Sequence, residues 1–114
     1  MFGGMLDMIS EQRVEAAVEF IRDHAEQLGH AVGHCKGLEQ QRKVVKGQAF
    51  LASQLKTVSE REAKAYCSPE YKVIVEEIEN AWAEAETLRT KLKAAELTIE
   101  VWRSQNSSKN RGHL

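Results

Sequence analysis

Ser68-Pro69-Glu70-Tyr71-Lys72-Val73-Ile74-Val75-Glu76-Glu77-Ile78 opens the stretch that decides the fold. From Tyr71 onward the positions Ile74, Ile78, Ala81, Ala85, Leu88, Leu92, Ala95, Ile99 and Trp102 alternate steps of three and four, and all ten are apolar. This spacing holds them on one side of a helix, as in the seam of a coiled coil. The helix start is equally clear. Ser68 is suited to accept from free backbone N–H groups, Pro69 fits the first helical position, and Glu70 sits at the positive end of the helix dipole. The pattern predicts a helix over about 69–104. The polar run from Gln105 to Leu114 has nothing to bury and is expected to be a disordered tail.

Upstream, Val14, Val18, Ile21, Ala25, Leu28, Val32 and Cys35 repeat the spacing, and the row then shifts by one step to Leu38, Val45, Ala49, Ala52 and Leu55. Such a shift implies local over- or underwinding. A helix over about 10–56 is predicted, capped by Ser10 or Asp7. Between the long helices, Ser59 and Glu62 have capping-box spacing, which predicts a short helix at 60–66. The expected organisation is a flexible apolar arm (1–9), a helical hairpin domain (10–104) and the tail (105–114). Charge favours antiparallel pairing. Residues 10–35 sum to −3 and 36–56 to +4, while 70–86 sum to −5 and 87–114 to +4. A fold near residue 63 sets opposite signs side by side, each pair weak but together selecting orientation. The fold class is therefore all-α, a long antiparallel helical hairpin.

One hairpin buries only one seam, which is little against a backbone ordering cost of ~1–2 kcal/mol per residue. Phe20, Val44, Phe50, Leu51, Val75, Trp82, Leu97 and Val101 lie off the seam. Apolar residues left in water usually mark a contact surface, so a homo-oligomer is expected. Phe50 and Trp82 are candidate interface residues, and the arm with Phe2, Met5, Leu6, Met8 and Ile9 is suited to dock on a neighbour. Gly29, Gly33 and Gly37 stack four apart. Each costs ~1 kcal/mol relative to Ala inside a helix. They either admit close approach by another helix in the oligomer interface or simply soften this one.

Aromatic residues are 6% and charged residues 29% of the 114-residue chain, a balance suited to long exposed helices. The formal charge of −1 gives no global drive toward nucleic acid. Cys35 and Cys67 form no C-x-x-C pair and are expected to be small buried residues in a reducing, cytoplasmic setting. No apolar run approaches the ~18 residues of a membrane span, and the N-terminus lacks the basic flank of a signal peptide. No P-loop, dinucleotide-binding glycine motif or nucleophile elbow is present. His30 and His34 stand one turn apart, but a third ligand is missing, so neither a metal nor a cofactor is expected. The carboxylates alternate with lysines as on a solvated face, and no enzyme activity is expected.

The cations carry more information. Arg42, Lys43 and Lys46 fall within about one turn, with Lys36 nearby. Arg89, Lys91, Lys93 and Arg103 form a second set leading to Lys109 and Arg111. Such clusters can track phosphates, and repetition around an oligomer would multiply a weak patch by avidity. Tyr66, Tyr71 and Trp102 are of a type that stacks on unpaired bases, although Tyr71 and Trp102 belong to the seam. The alternative is that these cations serve pairing and solubility, with the helix faces binding protein.

Two stretches carry a resemblance. Glu60-Arg-Glu-Ala-Lys-Ala-Tyr-Cys-Ser-Pro-Glu-Tyr71 and Ala85-Glu-Thr-Leu-Arg-Thr-Lys-Leu-Lys-Ala-Ala-Glu-Leu-Thr-Ile-Glu-Val-Trp-Arg-Ser104 look like a pattern of small helical bacteriophage proteins. Over about residues 14–104 the layout resembles the UvsY-like recombination mediator family. The resemblance implies an oligomer that binds single-stranded DNA and helps load a recombinase on strands coated by single-strand-binding protein. It places the DNA-binding stretch on Arg42, Lys43 and Lys46, with Gln48 where the family pattern has a further cation. The expectation is thus a non-enzymatic single-stranded-DNA-binding accessory protein of phage recombination or replication. The alternative is a helical interaction module, such as a phage regulator, a host-factor inhibitor or an assembly chaperone.

Overall fold

A computed structural model describes residues 7–112, which form three helices: α1 (Glu11–Ala52), α2 (Val58–Tyr66) and α3 (Pro69–Gly112). The chain divides into two compact units, one of residues 29–86 and one pairing residues up to 28 with those from 87 onward. The part of the expected apolar arm before Asp7 lies outside the described residues.

In the 29–86 unit the end of α1 and the start of α3 run antiparallel, joined through α2. Its core is Cys35 and Leu38 of α1 against Ile74, Ile78, Ala81 and Ala85 of α3, with Ala31, Val32, Val45, Tyr71 and Trp82 packed around it. Alanine lets the helices approach closely, and the Ile and Leu side chains fill the space that remains. Every one of the ten seam residues expected on α3 is buried or half-buried.

The turn is built from local hydrogen bonds. α1 ends at Ala52, four residues before the expected end, because Ser53 begins a tight turn. Its N–H bonds to the Phe50 carbonyl at 3.3 Å, and its own Oγ accepts from the Leu55 N–H at 3.2 Å. α2 starts two residues earlier than expected. Thr57, not Ser59, is its cap, with Oγ1 accepting from the Glu60 N–H at 3.1 Å. Thr57 and Glu60 have the same capping spacing as Ser59 and Glu62, so two frames competed in the sequence. At α3 the expected cap forms: Ser68 Oγ accepts from the Tyr71 N–H at 3.3 Å and donates to the Ala65 carbonyl at 2.8 Å.

In the other unit, Ala17, Leu92 and Ala95 are buried. Ser10, not Asp7, caps α1, its Oγ accepting from the Arg13 N–H at 3.2 Å. Gln105 Oε1 accepts from the Ile9 N–H at 2.9 Å, and Gln105 Nε2 donates to the Asp7 carbonyl at 3.3 Å. The segment from Gln105 to Gly112 is helical, not the structureless tail expected. Extending a formed helix adds one hydrogen bond per residue fixed, and Gln105 ties this part of α3 to the chain entering α1.

The row that α1 turns inward also differs from the expected one. Val14, Ala17, Ile21, His24, Leu28, Ala31, Cys35, Leu38, Arg42, Val45 and Ala49 are all buried or half-buried, in unbroken steps of three and four. No seam shift occurs. Val18, Ala25 and Ala52 are exposed, and two seam positions carry polar residues, His24 and Arg42. Of the cysteines, Cys35 is buried as expected, whereas Cys67 is exposed. No helix among the described residues is long and apolar enough to cross a membrane.

Candidate interaction surfaces

The three cations expected to share one phosphate-binding patch on α1 meet three different environments. Arg42 is half-buried in the seam and Lys43 is exposed. Lys46 is engaged by α2: its Nζ donates to the Tyr66 hydroxyl at 2.6 Å, lies 4.2 Å from the Tyr66 ring centre and sits 3.9 Å from a Glu62 oxygen. The hydrogen bond to Tyr66 leads in raising the Lys46 pKa above the usual lysine value, with smaller help from the Tyr66, Glu62 and Tyr71 charges against desolvation. The Tyr66 ring stands edge-on to Tyr71 with centres 5.3 Å apart. This cluster docks α2 onto both long helices.

On α3, Arg89, Lys91, Lys93 and Arg103 are all exposed. Arg89, Lys93, Glu96, Glu100 and Arg103 follow steps of four and three, so two carboxylates share the face of three cations. Lys93 Nζ is 3.8 Å from a Glu96 oxygen. Lys91 points to a different side, beside a shallow apolar depression of about 390 Å³ with Phe20 and Ala94. The cations are accessible but do not converge.

Of the expected interface residues, two are occupied within the chain. Trp82 is half-buried and donates its Nε1–H to Glu39 at 2.9 Å. Phe50 is half-buried, with the Arg61 guanidinium 5.8 Å from its ring centre. Arg61 also donates from Nε to the Leu55 carbonyl at 2.6 Å, fixing the turn. Gly29, Gly33 and Gly37 are exposed, and a Cβ built on any of them meets nothing within 4 Å. Among the described residues, no helix packs closely against them.

What is left open on α1 is its outer face, opposite the seam. There Val44 is 57% and Leu51 78% exposed, with glycine at 33, 37 and 47. Leu55 of the turn and Val58 at the start of α2 are exposed as well. His30 and His34 are exposed, and no group of three or more His, Cys, Asp or Glu residues among the described residues is placed to hold a metal ion. Sequence reasoning missed Arg61, Glu39 and Gln105. Glu39 and Gln105 depend on which residues meet across the fold, and Arg61 on how the turn from Leu55 to α2 closes, for which local spacing gives no signal.

No family model, no curated protein and no solved structure matches the chain.

Proposed function

We propose that this chain is a non-enzymatic helical binding module that works by packing an exposed helix face against another protein. One observation carries the reading: the outer face of α1 presents Val44 and Leu51 to solvent on either side of Gly47, and no described residue covers the glycines of that face. Exposed apolar residues in a row, rather than scattered singly, mark contact surfaces. Catalysis calls for polar groups converging in a water-shielded pocket. The depressions on the described surface are open rather than enclosed: one is lined by Ile9, Ala94, Leu97, Thr98 and Val101 together with Asp7 and Arg13, another by Glu100, Arg103, Ser104 and Ser107. A photo-crosslinking residue at Val44 tests the reading. It is expected to join the chain to protein, and Leu51→Asp is expected to suppress that adduct. Absence of any protein adduct from this face overturns the proposal.

A second reading is a single-stranded-DNA-binding accessory protein of phage recombination, acting with a recombinase and single-strand-binding protein as the resemblance implies. The exposure of Lys43, Lys91 and Arg103 supports it. The engagement of Lys46 with Tyr66 and Glu62, and the carboxylates beside Lys93, count against strong phosphate binding. A labelled single-stranded oligonucleotide titrated at low and moderate salt decides. Binding that weakens steeply with salt, and with Lys91→Glu and Arg103→Glu, supports DNA as the ligand. No binding at low salt removes this reading.

A further inference from the structure

The outer row of α1 runs Gly33, Gly37, Gln40, Val44, Gly47 and Leu51, again in steps of four and three, and all six residues are exposed. It is a second seam, facing away from the helices of its own chain. Gly47 leaves a bay between the side chains of Val44 and Leu51, and Gly33 and Gly37 leave a longer one before Gln40, into which a neighbouring helix can sink. Lys36 and Lys43 stand along one edge, seven residues apart, exposed and without an ion-pair partner among the described residues.

The outward side of α3 in the same unit has a matching form. Val73, Glu76, Asn80 and Ala83 follow steps of three and four opposite Ile74, Ile78, Ala81 and Ala85, and Val73 is 54% exposed. Glu77 and Glu84 line one edge of this row and Glu79 and Glu86 the other, each pair seven residues apart and exposed. Seven residues span ~10.5 Å on any α-helix. Two lysines at that spacing can therefore meet two glutamates at once, whichever way the second helix points.

We infer that the outer row of α1 receives the outer row of α3 from a second copy of this chain, with Lys36 and Lys43 against one of those glutamate pairs. The inference rests on the binding-module reading and names its partner. A chain's own α3 is committed to the opposite side of α1, so only another copy can supply this face. The core of the unit is thin, its buried large aliphatic side chains being Leu38, Ile74 and Ile78 with Val32 and Val45 half-buried beside them, and it gains from the added burial. Each copy uses two different faces, so the contact is head-to-tail. Growth continues past a pair until a ring closes or a filament forms.

Sedimentation across a range of concentrations tests this on the full chain, with circular dichroism confirming that each variant stays helical. The wild-type mass is expected to rise with concentration and to fall at high salt. Lys36→Glu with Lys43→Glu should weaken association at least tenfold, as should Glu77→Lys, Glu79→Lys, Glu84→Lys and Glu86→Lys together. An equimolar mixture of the two variants should restore association, since each acidic face then meets a basic one. Gly37→Leu, which fills a bay without changing charge, should also weaken it. A wild-type chain that stays monomeric, variants that associate like wild type, or a mixture that does not recover would each overturn the inference. If the chain is monomeric yet Val44 crosslinks reproducibly to a different protein, the second copy falls and the binding module stands. If Val44 crosslinks to nothing, both fall.

Discussion

Trp82 and Glu39 are joined by a 2.9 Å hydrogen bond across 43 residues of sequence, from the indole N–H to a carboxylate oxygen. Both are half-buried beside the core of Cys35, Leu38, Ile78 and Ala81, so the bond fixes the register of α1 against α3. A hydrogen bond to a charged group is worth ~1.5–3 kcal/mol, toward the lower end when partly exposed. Glu39→Ala is expected to cost about 1–2 kcal/mol in urea unfolding. Trp82→Phe should cost somewhat more through lost packing, and the double variant less than the sum. Full additivity would show that the two side chains do not cooperate.

Ala in place of Gly33, Gly37 or Gly47 should stabilise the isolated chain. A Cβ at each position has open space, and the exchange is worth ~0.8–1 kcal/mol per site in an exposed helix interior. Thermal unfolding at a dilution where the chain is monomeric measures this. A lowered midpoint would mean that these positions are covered.

Gln105→Ala removes two hydrogen bonds that tie α3 to the chain before α1. The expected result is faster amide exchange at Ile9 and from residue 105 onward, with little change at Ile74–Ala85. Unchanged exchange at Ile9 would rule out this tie.

The thiols separate by burial. Cys67 should react readily with an aromatic disulfide reagent, whereas Cys35, 0% exposed, should react only on unfolding. One thiol titrated in buffer and two in denaturant is the expected count. Two fast thiols in buffer would show that the core around Cys35 opens.

The Lys46 contacts carry a pH signature. Its pKa is raised in the folded chain, chiefly by the hydrogen bond to Tyr66. The stabilisation is therefore fully present below the ordinary lysine value of 10.5 and lost as pH climbs through the raised one. Lys46→Met should leave a chain whose stability falls less steeply in the alkaline range. A slope identical to wild type would contradict this account.

Sequence spacing revealed α3 because every seam position there is apolar and its start carries Ser68 and Pro69. The inward row of α1 departs from its apolar spacing for a physical reason. His24 and Arg42 occupy seam positions, while Val18, Ala25 and Ala52 supply apolar residues off it. His24 is accommodated by its Nδ1 contact with the Phe20 carbonyl at 2.9 Å and by stacking on the Phe20 ring. A polar residue whose needs are met locally costs the seam little, so hydrophobic periodicity alone loses the register there. The cation patch was legible as composition but not as geometry. Nothing local in the sequence indicates that Lys46 is engaged by Tyr66 twenty residues away.

The glycines of α1 also set an order of events. Gly29, Gly33, Gly37 and Gly47 fall in the half of α1 that faces Ile74 and Ile78, while α3 has none before Gly112. On its own, that half of α1 is the poorer helix former by several kcal/mol. α3 is then expected to be the element that persists as a transient helix in the unfolded chain, with α1 forming against it. Helix-weakening Ala→Gly changes on the exposed side of α3 should slow folding. The same kind of change on α1 should mainly speed unfolding.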